Sequence, residues 1–148
     1  MRISSFGFSC LMLALSACDQ PARQVDQAPI QLKIDGEVTE MLTGPLLSIR
    51  TNLPDETRLM ATILGPSNQI EAQDQGVVHA GTVSFGPFTS LPPAQRRVGF
   101  SAEISASLTD IQPDNVRAKV SLGYSNYKSE FIVDGSVGKI IEYKFPLQ

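Results

Sequence analysis

The sequence predicts an all-β fold, an antiparallel β-sandwich of about seven to nine strands, from three observations. From Ile30 onward, apolar residues recur at every second position, which is the side-chain period of a strand with one buried face. Residues that favour turns separate these runs at intervals of roughly 8–12 residues. No segment carries the broad apolar stripe of an amphipathic helix. Two packed sheets would give these apolar faces a common core.

Five runs show the alternation most clearly, and each predicts a strand with its apolar side chains in the core and its polar side chains in solvent. In the second run the intervening residues are also apolar or small, so that strand is expected to be covered on both faces. The apolar positions are Ile30, Leu32 and Ile34; Leu59, Ala61 and Ile63; Val98, Phe100, Ala102 and Ile104; Val116, Ala118, Val120 and Leu122; and Ile141, Tyr143 and Phe145.

Prolines, glycines and aspartates predict the turns between these runs. Proline presets the backbone angle φ that a turn corner needs, and glycine reaches positive φ without steric cost. The predicted turns lie at residues 53–56, 65–68, 74–76, 80–81, 91–93, 112–114 and 134–135.

The first 17 residues have the order of parts found in a secretory signal peptide. Arg2 gives a positive start, and residues 6–15 form an apolar run that is too short to span a bilayer, which takes about 20 residues. The next residues, Leu-Ser-Ala-Cys at 15–18, resemble the lipobox of bacterial lipoproteins. The resemblance implies diacylglycerol transfer to the Cys18 sulfur, cleavage before Cys18 and acylation of the new amino group. Two or three acyl chains would anchor the protein stably in a membrane.

Asp19 and Gln20 follow the lipobox cysteine. An aspartate at this place resembles the signal that keeps enterobacterial lipoproteins from export to the outer membrane. It implies the periplasmic face of the inner membrane, with the outer membrane as the alternative. Residues 19–29 are polar with two prolines, which predicts a flexible tether. The predicted organisation is a signal peptide at 1–17, the lipidated cysteine and tether at 18–29, and the β-sandwich at 30–148.

Charge and cysteine content exclude several functions. The chain has 12 basic and 15 acidic residues and no basic stripe, so we expect no nucleic-acid binding. Its two cysteines, Cys10 and Cys18, both precede the predicted domain. That domain would therefore contain no disulfide, thiolate metal site or cysteine nucleophile, and its stability would come from core packing.

A resemblance to a known kind of domain covers about residues 45–122. It resembles a small bacterial extracytoplasmic domain with an immunoglobulin-like or fibronectin-like sandwich, found in secreted and lipid-anchored proteins of unassigned function. The matching positions are turns and core residues, so the resemblance implies a fold and an envelope location but no catalytic residue. In that family, glycine and an aromatic residue often follow the double proline, where this chain has Ala94 and Arg96. The matching segments are 51–60, Gly86-Pro87-Phe88, Leu91-Pro92-Pro93, and Gln112-Pro113 with Val116.

The side chains that could carry chemistry have structural explanations. His79 is the only histidine, and zinc generally takes three or four protein ligands, so we interpret it as a strand residue before a turn. Asp55 and Glu56 are neighbours that would point to opposite sides of an extended chain, which suits a turn better than an acid–base pair. We therefore predict no catalytic residue, no metal site and no cofactor, and a protein that is not an enzyme.

Two further charged groups are expected to be solvated. Asp110 and Asp114 flank Gln112-Pro113, and a calcium loop would need more oxygen ligands at tight spacing. Arg96 and Arg97 form a basic pair near a strand start. They could contact a lipid phosphate or an acidic partner, but two charges are too few for a membrane-binding cluster, and we expect them to protect the edge of a sheet.

The segment 123–129 is the most suggestive of binding. It contains Tyr124, Ser125, Asn126 and Tyr127, residue types enriched in antibody binding loops because tyrosine gives large contact area at low entropic cost. The alternative is a hairpin turn at Ser125-Asn126 with the two tyrosines paired across strands.

The resulting functional expectation is a lipid-anchored envelope protein that acts as a non-enzymatic interaction or structural module. Its partners would be the membrane, through the lipid, and another envelope protein. The alternative is a periplasmic ligand-binding protein or an enzyme inhibitor.

Overall fold

The computed structural model describes residues 28–106, 108–136 and 138–147. The predictions for the signal peptide, for Cys18, Asp19 and Gln20, and for most of the tether lie outside these residues. Within them the prediction of an all-β, sandwich-like fold is confirmed. Helical structure is limited to one turn of α-helix and three short 3-10 segments in this part of the chain.

The described residues form ten strands, of which eight have four or more residues. The helical pieces are 3-10 segments at Ala94–Arg96, Thr109–Ile111 and Leu122–Tyr124, and α1 at Asp114–Arg117. The strands are β1 Ile30–Gln31, β2 Ile34–Met41, β3 Gly44–Thr51, β4 Arg58–Leu64, β5 Ile70–Val77, β6 Thr82–Phe85, β7 Ser101–Ala106, β8 Tyr127–Lys128, β9 Ile132–Gly135 and β10 Gly138–Pro146.

Two antiparallel sheets face each other across the core. The larger has the strand order β5-β4-β7-β10-β9 and the smaller has the order β2-β3-β6. The short strands β1 and β8 pair in parallel beside them. The smaller sheet contributes buried Leu47, Ile49 and Phe85 to a core that also contains Ile63 and Ile104 of the larger sheet. Both layers therefore bury one apolar face, as the alternation predicts.

The alternation is confirmed most directly in β7. Ala102, Ile104 and Ala106 are buried, whereas the residues between them are partly exposed. Strand β4 is covered on both faces as expected, because Thr62 and Leu64 are buried together with the core residues of the opposite face. The turns predicted at 53–56, 65–68 and 80–81 are also present.

Several predictions from local pattern are wrong. Residues 116–122 form α1, a turn and a 3-10 segment instead of a strand. Val116 and Val120 are both buried there because residues four apart share one face of a helix, and Ala118 and Leu122 are exposed. Residues 74–76 lie within β5 and residues 134–135 lie at the end of β9, so neither forms the predicted turn. Ile30, predicted to face the core, is exposed in the short strand β1.

Gly76 is part of β5 for a packing reason. A Cβ atom at this position would lie 2.4 Å from Cγ2 of Val83 and 2.9 Å from Cε1 of Phe85. The glycine therefore lets β6 pack closely over β5 and seat the Phe85 ring between the sheets.

A further error concerns the strand predicted from Val98. The strand begins only at Ser101, and Val98 is exposed. Gly99 has a φ of +83°, and the Phe100 amide donates a hydrogen bond to the Arg97 carbonyl at 3.0 Å, so residues 97–100 form a turn. This turn interrupts the alternation and reverses the expected placement of Arg97.

Candidate functional site

The hairpin tip, defined here as residues 40–45, joins β2 to β3. Leu42 is fully exposed and Met41 is about half exposed. Gly44 has a φ of +130°, and a Cβ atom there would lie 2.4 Å from the Phe88 carbonyl oxygen. Glycine thus allows the hairpin tip to lie directly on the backbone of the loop that follows β6.

That loop, which we call the proline loop, comprises residues 86–100. Phe88 is buried in the core, and its amide donates a hydrogen bond to the Pro45 carbonyl at 3.0 Å. Pro92 and Pro93 then lead into the 3-10 segment Ala94–Arg96. Phe88 therefore anchors the proline loop to the first hairpin, while the double proline spans the space beside it.

A cleft of about 380 Å³ separates the hairpin tip from the proline loop. Its walls are formed by both segments, so the cleft exists only because the two are held together at Pro45 and Gly44. The lining residues are 40–45, 89, 91–95 and 97.

Arg97 is the most unusual residue of the cleft. Its side chain is 1% exposed, although the sequence favours a solvated charge at this position. The Glu40 carboxylate, 47% exposed, approaches with Oε2 at 2.5 Å from Nη2 of Arg97. This contact lacks hydrogen-bonding alignment, and within the described residues no group hydrogen-bonds to Nε, Nη1 or Nη2 of Arg97.

A buried guanidinium in this state is energetically costly. An unsatisfied buried polar group costs about 1–3 kcal/mol, and a charged group costs more. One carboxylate oxygen offsets part of this cost, but a guanidinium presents five N–H donors in a planar fork that suits two oxygens at once. A group with two oxygens aligned with this fork would offset more of the cost than the single oxygen of Glu40 does.

The predicted binding residues Tyr124 and Tyr127 lie elsewhere. Both rings are buried, Tyr124 completely, so the expectation that they are exposed to a partner is wrong. Leu122 occupies the outer side of its 3-10 segment, and Gly123 and Tyr124 have φ values of +61° and +55°. This reversal of the chain turns the Tyr124 ring into the core, where the Gln112 amide donates a hydrogen bond to its hydroxyl at 3.4 Å.

The rest of this segment is also used within the domain. Asn126 accepts a hydrogen bond from the Ser121 amide at 2.9 Å and donates one to the Lys119 carbonyl at 2.9 Å. Tyr127 lies opposite Ile30 in the β1–β8 pair, so the alternative of two tyrosines paired across a hairpin is wrong as well. Ser125 is exposed at the turn. Through the pairing of β8 with β1 and the two buried tyrosines, the segment holds β1 against the core.

The other singled-out side chains are in turns or loops. His79 is exposed and forms a β-bridge with Thr82 around the turn at 80–81, which confirms its predicted placement. Glu56 accepts a hydrogen bond from the Asn115 amide at 2.6 Å, and Asp114 pairs with Arg117. Across the described ranges, no group of three or more histidine, cysteine or acidic side chains is arranged to hold a metal ion.

A larger apolar groove of about 560 Å³ lies near the start of β2 and includes Phe131 in its lining. Its polar groups already have partners: Asn52 accepts a hydrogen bond from the Lys33 amide at 2.8 Å, and Arg50 pairs with Asp35 at 2.7 Å. The smaller cleft is therefore the stronger candidate site, because it contains the buried charge that lacks hydrogen bonds.

Sequence reasoning missed this cleft, although Gly99 was a usable signal. Gly99 lies two residues before the regular alternation of β7, and a glycine at such a place indicates a turn. Arg97 lies at the start of this turn, so its side chain need not follow the alternation of the strand. Its partner Glu40 comes from a distant hairpin, so no local pattern joins the two.

Among the residues that the structure describes, no helix is long and apolar enough to cross a membrane.

Comparisons of the chain with protein-family models, with curated proteins and with solved structures found no match. The resemblance to immunoglobulin-like extracytoplasmic domains therefore stays a prediction from the sequence motifs.

Proposed function

We propose that this protein is a lipid-anchored, non-enzymatic binding module of the bacterial cell envelope that contacts a protein partner through the hairpin tip and the cleft beneath it. The observation that carries the proposal is the fully exposed Leu42 beside the buried guanidinium of Arg97. Arginine is enriched at the energetic centres of interfaces, and the buried centre of an interface is more apolar than its rim.

The position of the hairpin tip supports this assignment. The tether would join the domain at β1, and β2 then runs for eight residues toward the tip. At about 3.3 Å per residue, the strand places the tip roughly 23 Å from the start of β2. A module anchored through Cys18 on the periplasmic face, with the inner membrane favoured by Asp19, would thus present Leu42 away from the lipid.

A periplasmic ligand-binding protein is the second candidate, and the apolar groove beside Phe131 is the observation that favours it. Ligand sites are commonly apolar and concave. The groove lies at the start of β2, so this function would use the opposite end of that strand. The enzyme-inhibitor alternative would use the hairpin tip itself.

Photo-crosslinking in intact cells tests the proposed surface. With a photoreactive amino acid at Leu42, we expect an adduct with one envelope protein, because this side chain is fully exposed at the hairpin tip. Leu122 is the matched control. It is also an exposed leucine, and it lies in the 3-10 segment Leu122–Tyr124, which does not line the cleft. Equal adducts from both positions, or none from Leu42, would contradict the assignment.

The anchor has a separate test. The change Cys18→Ser removes the sulfur that would form the thioether, so we expect an uncleaved precursor that carries no lipid. Mass spectrometry of the N-terminal peptide measures both outcomes, and Cys10→Ser is the control because Cys10 lies within the predicted leader. A normally processed Cys18→Ser protein would refute lipidation.

A further inference from the structure

We propose that Arg97 binds a carboxylate group of the partner polypeptide, which enters the cleft and takes the place of the Glu40 carboxylate. This inference rests on the proposed function and names the chemistry that the partner brings. It treats the contact between Glu40 and Arg97 as an internal substitute for the bound ligand.

The first argument is the state of the guanidinium. Arg97 lines the cleft, its side chain is 1% exposed, and its three nitrogens lack hydrogen bonds within the part of the chain that the structure describes. Native proteins leave few buried polar groups in this condition. A carboxylate that binds with both oxygens would satisfy two of the donors that Glu40 leaves unused.

The second argument is the asymmetry of the ion pair. Arg97 is fixed within the protein, whereas the Glu40 side chain is about half exposed and stands near the end of β2, at the hairpin tip. Glu40 can rotate into solvent without disturbing the core. An incoming carboxylate would then replace it, so that Arg97 is not left without a counter-charge.

The third argument concerns the class of ligand. Oε2 of Glu40 lies 2.5 Å from Nη2, so the space beside the guanidinium already accommodates a carboxylate. Leu42, on the same tip, offers an apolar contact to the chain that carries this group. The two features together fit an acidic side chain or a free C-terminus of a polypeptide.

Peptide titrations of the mature lipidated chain, which begins at Cys18, in detergent micelles test the inference. One probe is a short peptide capped at both ends that contains a single glutamate, and another has a free C-terminal carboxylate and no acidic side chain. A doubly capped peptide with glutamine is the neutral control. NMR of the Arg97 Nε–H group reports whether the probe reaches the guanidinium, and comparison of the first two probes identifies the source of the carboxylate.

Four variants sharpen the test. Glu40→Gln removes the negative charge that competes for Arg97, so a larger fraction of the protein is free to bind a carboxylate. We therefore expect carboxylate probes to bind about tenfold more tightly. Arg97→Gln should weaken binding at least tenfold, and Arg97→Met serves if that variant does not fold. Arg96→Gln and Glu37→Gln make the same charge changes at exposed positions and should alter the affinity less than about twofold.

The outcomes separate the inference from the proposed function. Binding that depends on Arg97 and is strengthened by Glu40→Gln supports the inference. Equal affinities for the glutamate and glutamine peptides, or binding of inorganic phosphate as tight as that of the carboxylates, would overturn it. Crosslinking at Leu42 without any carboxylate effect would retain the proposed function alone. Carboxylate binding without crosslinking would retain the site and reject its use by an envelope protein.

Discussion

Phe85→Ala is expected to lower the free energy of unfolding by about 3–5 kcal/mol. The Phe85 ring is fully buried at the end of β6, and it lies over Gly76 of the larger sheet. Truncation removes the contacts that this ring makes between the sheets and leaves a cavity, because pairing with β3 holds β6 in place and restricts collapse. Urea-induced unfolding followed by circular dichroism measures the change.

Ser84→Ala is the matched control for this prediction. Ser84 precedes Phe85 on the same strand, but its side chain points to the exposed face. A surface change of this kind usually alters stability by less than about 0.5 kcal/mol. Similar midpoints of unfolding for the two variants would show that the Phe85 ring does not stabilise the packing of the two sheets.

The strands could be predicted where one sheet face is buried and the other is wet. In β7 a period of two in the sequence corresponds directly to a period of two in burial, so Ile104 was assignable from its neighbours alone. In β10 Ile141 is buried, but Tyr143 and Phe145 are only partly buried. The turn at 80–81 was predictable from Gly81, because its φ of +74° is one that glycine adopts without steric cost.

The segment around α1 shows where the same reasoning fails. Val116 and Val120 are four residues apart, a spacing that satisfies both a strand and a helix. The deciding residues were Ala118 and Leu122, which a strand would bury and which are exposed. Over so short a run, a spacing of four residues does not distinguish a strand from a helix.

The cleft could not be predicted because its two walls come from distant parts of the sequence. Glu40 and Arg97 meet only once the first hairpin lies on the proline loop. The burial of a charge is a property of this tertiary contact. From the local sequence alone, an arginine is expected to be exposed to solvent, because arginine is rarely buried unless it is paired.

Alkaline pH is expected to destabilise the domain through Tyr124. Burial raises the pKa of Tyr124 to about 12 from its ordinary value of 10, against the opposing effect of the hydrogen bond from Gln112. The stabilisation from the protonated phenol is complete below pH 10 and is lost as the pH rises through 12, because the unfolded chain ionises first. At about 1.4 kcal/mol per pH unit, the loss over this window is about 3 kcal/mol. Urea midpoints measured between pH 9 and 12 test this.

Tyr124→Phe separates this effect from general alkaline unfolding. The variant keeps the ring in the core but has no phenol to ionise, so its stability should fall less steeply between pH 10 and 12. A residual slope is expected, because burial also raises the pKa of Tyr127. Loss of the phenol also removes the bond from Gln112, so the variant should be less stable than the parent at neutral pH by about 1 kcal/mol. The two stability curves should therefore converge as the pH rises. Parallel curves would show that Tyr124 does not titrate in the folded core.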